Sequence, residues 1–453
     1  MAGSPLGGGA GDEQFGVVSF PRDEHVHPDG WDFWWGAAHI VTESGDRYTL
    51  GIAHDSLNGV GVTGHELFPW QGPYRGSTVN SQDGPAEWGH EGEPLGRYAR
   101  TMTAYVPGVS ERFRYETRDT QDGNKLIGLW ERTRLDDHSY RFVLDNDTAR
   151  VHPSGDLVRL GVELEATMAS PPLLAGGDGQ FWYGIPEGLG YPSRSFQYMQ
   201  AGTVSGTLEL EAPDGSLVEE AVDPEASSLL MVHEYDASPE DLWLGLAWAL
   251  STQVHPRYPQ YYQGGMPWEL LFLDLDNGAQ LMVAVIAFHD TDDGTLAPVL
   301  GPNMPKYTVL ATLRLPSGES VPLDEDDFRV EHLAYRTMIG RVPTFWVTIT
   351  GIWKQAWGYR LRFPGGEVAG PDGTVSVPPF DLGVDSPLGI DEPAVDDEGN
   401  GLRQRVPLRV GGSYGGCPVG GAGWSELIIN WYGHEDDDPW FTGGPLPTPP
   451  EAC

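Results

Sequence analysis

The chain has 453 residues, with 27 basic against 66 acidic side chains and a formal net charge of -39. Hydrophobic residues at 39% and charged residues at 21% describe a folded chain rather than a disordered one, long enough for two or three domains. So strong a negative field repels phosphate backbones and anionic lipid, which argues against a nucleic-acid or peripheral-membrane partner.

Met1 to Gly11 is small and Gly-rich, without a basic n-region or an apolar h-region. It reads as part of a flexible tail over 1–20, not as a signal peptide. Strand-type segments follow. Residues 157–166 (LVRLGVELEA) alternate, with Val158, Leu160, Val162 and Leu164 on one face and Arg159, Glu163 and Glu165 on the other. That period of two predicts a half-buried strand. Similar runs occupy 111–118, 125–135, 139–144 and 206–211 in the first half of the chain.

Near mid-chain, Ser238-Pro239-Glu240-Asp241 offers an N-cap, a proline in the first turn and early acids, before the apolar LWLGLAWAL. A helix over 238–252 is predicted, within a linker of 237–254 that separates β domains at 21–236 and 255–442. Asn277-Gly278 then divides 268–275 (WELLFLDL) from 279–288 (AQLMVAVIAF), which predicts a hairpin over 268–288. Further strand runs lie at 307–315, 345–350, 357–363 and 424–432. Short strands without alternating helices mean a sandwich or barrel, and 61 glycines with 38 prolines supply the turns.

The acidic, Pro/Gly-interrupted segment 380–400 reads as a long surface loop, and 443–453 as a loose tail. The longest apolar run, Leu281 to Phe288, is too short to span a bilayer. Cys417 and Cys453 are the only cysteines, which excludes a disulfide framework and a Cys-ligated zinc site. The expected compartment is the cytoplasm. WDFWW at 31–35 is faintly echoed by WELLF at 268–272, as two similar β domains would produce.

Four segments carry a family resemblance. The first runs from Asp23-Glu24-His25-Val26-His27-Pro28 through Trp31-Asp32-Phe33-Trp34-Trp35-Gly36 to His39. The second is 181–211, where FWYGIP leads into SRSFQYMQAGTVSGTLEL. The third is Trp268-Glu269, and the fourth is Gly423-Trp424-Ser425-Glu426-Leu427. Together they resemble the lipocalin-like family of carotenoid 1,2-hydratases (hydroxyneurosporene synthases) and AttH proteins. Relatives in that family include a phytoalexin (kievitone-type) hydratase and fungal decalin-forming Diels–Alderases. The resemblance implies an all-β fold of two consecutive lipocalin-like β-barrel domains with an apolar cavity. His233-Glu234-Tyr235 stands nearest to the family's His-x-Trp-Gly signature, with tyrosine for tryptophan and no glycine following. Glu269 stands where aspartate is usual, after Pro267 in place of an aromatic.

The implied function is a cofactor-independent enzyme acting on a hydrophobic isoprenoid or polyketide by hydration, cyclisation or isomerisation. A Diels–Alderase-like pericyclase and a non-catalytic carrier of a hydrophobic small molecule are the alternatives. Hydrating an isolated alkene needs an acid to protonate carbon, aromatic faces for the cation and a base for water. His233 and Glu269 are the candidate acid/base pair at one cavity, with Trp34, Trp35, Tyr235 and Trp268 as surrounding aromatics. The alternative for Glu269 is an ion pair at a barrel rim. His39 and Asp32 lie an odd number of residues apart, so they face opposite sides unless a bulge at Gly36 resets the register. His39 is either a cavity residue or a hydrogen-bonded structural histidine. Glu426, beside Trp424, is either an inward carboxylate or half of an edge salt bridge. His25 and His27 have no third spaced cluster to complete a metal site, and no Walker A, GxSxG, HExxH or strand-linked GxGxxG occurs. No metal or nucleotide cofactor is expected.

Overall fold

The computed structural model describes residues 18, 31–57, 60–69, 77–79, 99–104, 112–119, 125–135, 139–146, 150–151, 160–169, 171–177, 179–181, 195–211, 216–236, 253–254, 262–263, 268–288, 306–323, 326–343, 348–370, 373–386, 403–428 and 441–453. Strands dominate them, and the pairings between strands are antiparallel. The predicted helix at 238–252 lies outside the described residues, while Gln253–Val254 pairs as a strand with Tyr262–Gln263. Among the described residues, no helix is long and apolar enough to cross a membrane.

A 15-stranded sheet takes its strands from Trp31–Val41 to Ser228–Asp236. Trp31–Val41 lies between Arg47–Leu57 and Ser228–Asp236, and the path continues through Ser195–Glu211, Leu160–Met168, Ser139–Asn146, Lys125–Arg134, Arg112–Asp119, Ala99–Ala104 and Val60–Pro69. Val60–Pro69 pairs back onto Arg47–Leu57, so the path closes as an up-and-down barrel. A 9-stranded sheet is built from residues 268–428. Its first strand, Trp268–Leu275, pairs with its last, Cys417–Ile428, and from that pair the sheet runs outward to Ser320–Leu323 on one side and Arg329–Pro343 on the other, its two end strands.

The alternation seen in the sequence sets the faces. Val162, Leu164, Ala166 and Met168 are buried while Glu163 and Glu165 are exposed. The 268–288 hairpin is present, with Trp268 opposite Ile286 and Asp274 opposite Gln280. Its turn is one residue longer than Asn277-Gly278 alone: Leu275 and Ala279 close it, Gly278 takes φ 85°, and the Asn277 Oδ1 accepts from the Ala279 amide at 3.0 Å. This is the three-residue turn with glycine in the left-handed region. Leu315 and Glu319 close the same construction around Gly318.

Gly36 forms no bulge. The register of Trp31–Val41 is unbroken against both neighbours, so positions 32 and 39 fall on opposite faces. The glycine is needed for close approach instead, because a Cβ there would lie 2.0 Å from the Leu230 carbonyl oxygen.

The segment 380–400 departs from its reading as a loop at its start. Phe380–Asp385 is a strand inside the second sheet, with Phe380, Leu382 and Val384 buried. Its acids are strand residues with partners on neighbouring strands: Arg360 grips Asp381 at 2.6 and 2.7 Å, and Arg409 grips Asp385 at 2.6 and 3.0 Å. The stretch 443–453 ends in Cys453, which is joined to Cys417 by a disulfide. Two cysteines make no framework, yet this one bridge ties the C-terminus to the second sheet.

One hydrophobic cluster joins the halves. Ala37, Leu173, Met199, Leu230 and Val232 of the first sheet pack with residues of the second, including Leu270, Phe272, Met282 and Trp424. Polar contacts bolt the same junction. The buried Arg314 guanidinium donates to the carbonyls of Pro171 and Pro172 and, at 3.0 Å, to Gln280 Oε1. The Gly176 amide donates to Thr312 Oγ1 at 2.9 Å. Buried donors answered in this way avoid the full cost of desolvation.

Candidate functional site

Among the described residues, each sheet holds one buried imidazole in a side-chain hydrogen bond. In Ser228–Asp236, Leu230 and Val232 join the junction cluster, so by alternation His233 and Tyr235 project from the opposite face, inside the first barrel. Tyr198 is the register partner of His233, and the His233 Nδ1 lies 3.0 Å from the Tyr198 hydroxyl. Phe196 sets its ring edge-on to His233 at 5.2 Å and contacts Tyr235 at 5.3 Å. His233, Tyr198 and Tyr235 are all buried. Glu234, on the reverse face, accepts from Gln197 Nε2 at 2.7 Å.

The second centre contains Glu269. Its Oε2 lies 2.9 Å from His332 Nε2, and both side chains are buried. Their strands, Trp268–Leu275 and Arg329–Pro343, are not neighbours in the sheet. The two side chains therefore meet across the space that the curled sheet encloses. The Tyr335 hydroxyl lies 3.4 Å from His332 Nδ1, and Tyr359 meets the imidazole edge-on at 5.4 Å. Two proton arrangements satisfy the chain: Tyr335 O–H donates to Nδ1 while Nε2–H donates to the Glu269 carboxylate, or the protonated Glu269 carboxyl donates to Nε2 while Nδ1–H donates to the Tyr335 hydroxyl.

His332 and Tyr335 are three residues apart and would face opposite ways on a regular strand. The pairing with Thr348–Phe363 shifts register between His332 and Ala334 and again between Ala334 and Tyr335. That irregularity turns both side chains to one side. It is also why alternation along the sequence did not single out His332.

The sequence candidates are thus distributed. Glu269 meets His332 and His233 meets Tyr198; the structure does not pair Glu269 with His233. Tyr235 belongs to the aromatic cluster around His233. Trp34 is the other register partner of His233, Trp35 pairs with Val232, and Trp268 pairs with Ile286 and Ile428. The side chains of those three tryptophans lie outside the described residues. Glu426 is buried but pairs in register with Leu270, which puts it on the face opposite Glu269. His39 hydrogen-bonds the backbone of Gly423, on the strand that carries Glu426, and so spans the junction between sheets.

Burial pushes the His39 imidazole down to about 4, outweighing the Gly423 hydrogen bond that acts to raise it. The fold therefore holds neutral His39 while the unfolded chain protonates near its ordinary 6.5. Stability is full above about pH 6.5 and falls as pH drops toward 4, by up to about 3 kcal/mol. Urea titrations across that window should show a slope that His39→Gln removes. An unchanged slope in the variant would assign the acid sensitivity to other groups.

No family model matches the chain, and no curated protein matches it. Solved structures do. A protein described as AttH from Nitrosomonas europaea has a TM-score of 0.49 at 14% identity, covering 91% of this chain and 97% of its own. Kievitone hydratase from Nectria haematococca has a TM-score of 0.45 at 13% identity, covering 93% and 96%. CghA, solved with Sch210972, has a TM-score of 0.48 at 12% identity, covering 92% and 95%. These are the kinds of protein that the sequence motifs resemble.

Proposed function

We propose that this protein is a cofactor-independent enzyme that protonates an alkene of a hydrophobic isoprenoid or polyketide, leading to hydration, cyclisation or isomerisation. The observation that carries the reading is the buried His332–Glu269 pair, with Tyr335 on its imidazole, on a sheet face that it shares with Leu271, Leu273, Val283 and Val285. A carboxyl held there can deliver its proton to an alkene carbon. The aromatic rings nearby stabilise the cation that forms. Water then adds to the cation and returns a proton to the Glu269 carboxylate, which restores the acid. In cyclisation an internal alkene attacks in place of water, and loss of a neighbouring proton regenerates Glu269. The imidazole, bonded on both nitrogens, can accept the proton from Oε2 and hand it back, so it positions and recharges the acid.

A second reading places the reaction at His233 in the first barrel. The aromatic cluster of Phe196, Tyr198 and Tyr235 around that imidazole favours it.

Incubation with acyclic isoprenoid alkenes and linear polyene ketides, followed by mass spectrometry, tests the reading. A product that gains one water marks hydration, and a new product of unchanged mass marks cyclisation or isomerisation. A ligand that binds and is recovered unchanged, across both substrate classes, would make the protein a carrier and end the enzymatic proposal. Concerted cycloaddition without an acid would appear as turnover that survives loss of Glu269.

A further inference from the structure

The C-terminal segment lies against the back of the Glu269–His332 pair. The Thr442 amide donates to the His332 carbonyl at 3.0 Å, and Phe441 forms a parallel bridge with His332. The Phe441 ring packs on Tyr335 at 5.3 Å, and Tyr335 in turn reaches His332 Nδ1. Beyond Thr442 the segment crosses the outer face of the sheet. Gly444 lies against Leu333, where the register breaks, and a Cβ on Gly383 would come within 2.7 Å of Pro447 Cδ. The disulfide from Cys453 to Cys417 fastens its far end.

We propose that Phe441–Cys453 is a strap, latched by the Cys417–Cys453 disulfide, that positions His332 for Glu269. Phe441 and Thr442 are its positioning residues: one buttresses the ring of Tyr335, the other fixes the backbone of His332 at the irregular point of its strand. The irregular register leaves that backbone less constrained by its neighbour strand, and the strap supplies the missing restraint. A dithiol opens the latch by thiol–disulfide exchange. The Cys417–Cys453 bond breaks, each sulfur takes a proton, and the dithiol leaves as its own disulfide, having given two electrons. In a reducing compartment the strap loses its covalent end and keeps only its noncovalent contacts at Phe441, Thr442, Gly444 and Pro447.

This proposal rests on Glu269–His332 as the acid site, and the experiment separates the two. Full-length protein labelled with nitrogen-15 in histidine gives imidazole resonances, of which His332 is identified by His332→Gln. Phe441→Ala, Cys453→Ser and wild type reduced with dithiothreitol are each expected to move the His332 resonances while leaving His233 in place. Phe441→Tyr should restore them. Turnover should fall at least ~10-fold in kcat, with KM within about twofold, as for loss of orientation rather than binding. His332 resonances unmoved by all three perturbations would overturn the strap. If they move while Glu269→Gln turns over normally, the strap stands and the acid assignment falls.

Discussion

Glu269→Gln is expected to lower turnover on the true substrate at least ~100-fold, the lower range for loss of a general acid, with ligand affinity little changed. The amide keeps the size and planarity of the carboxyl and can still meet His332 Nε2, so shape is preserved while the transferable proton is lost. Pre-steady-state and steady-state rates should fall together, because protonation of carbon is the step removed. The matched variant is His233→Gln, which cuts the hydrogen bond to the Tyr198 hydroxyl in the first barrel. Loss confined to Glu269→Gln places the acid in the second sheet. Loss confined to His233→Gln moves the reaction to the first. A pericyclase that works by holding its substrate in a reactive shape should tolerate both.

The second large effect is on stability. His332→Leu should destabilise the fold by about 3–5 kcal/mol, because it strips a buried carboxylate of its imidazole partner. The hydrophobic side chain fits a site already lined by Tyr359, whose hydroxyl is engaged with the Ala356 carbonyl at 3.1 Å. Adding Glu269→Leu to His332→Leu should recover most of the loss, since an apolar pair of similar volume replaces a desolvated polar one. Urea denaturation of the four members of this cycle measures the coupling. A loss below about 1 kcal/mol in His332→Leu would mean that Glu269 has ready access to water, and the pair would then be an ordinary surface contact.

What the sequence shows of the fold is what depends on near neighbours. Alternation at 157–166 became the buried and exposed faces of Leu160–Met168, and Asn277-Gly278 became the turn of the 268–288 hairpin. Both are local: a pleated strand turns its side chains every second residue, and a left-handed turn needs a residue such as glycine. Phe380–Asp385 escaped because Asp381 and Asp385 made it look like an acidic loop. Their arginine partners, Arg360 and Arg409, sit on neighbouring strands and cannot be assigned without the pairing.

The candidate site divides along the same line. Sequence reading reached Glu269 and His233 through the family resemblance carried by Trp268-Glu269 and His233-Glu234-Tyr235. It could not supply the hydrogen-bond partners that each of them meets. His332, which Glu269 meets, is 63 residues away, on a strand that does not pair with its own. His332 and Tyr335 reach one side only because the register slips twice between them. Residues 443–453 read as a loose tail for their glycines and prolines; Phe441 and Thr442, just before them, contact Tyr335 and His332, and the disulfide to Cys417 fixes their far end. Residue type and period, acting through steric and solvation preferences of adjacent residues, determined an all-β chain and its acidic surface. The curl of the second sheet decided which buried groups meet, because pairings such as Trp268–Leu275 with Cys417–Ile428 link residues far apart in the chain.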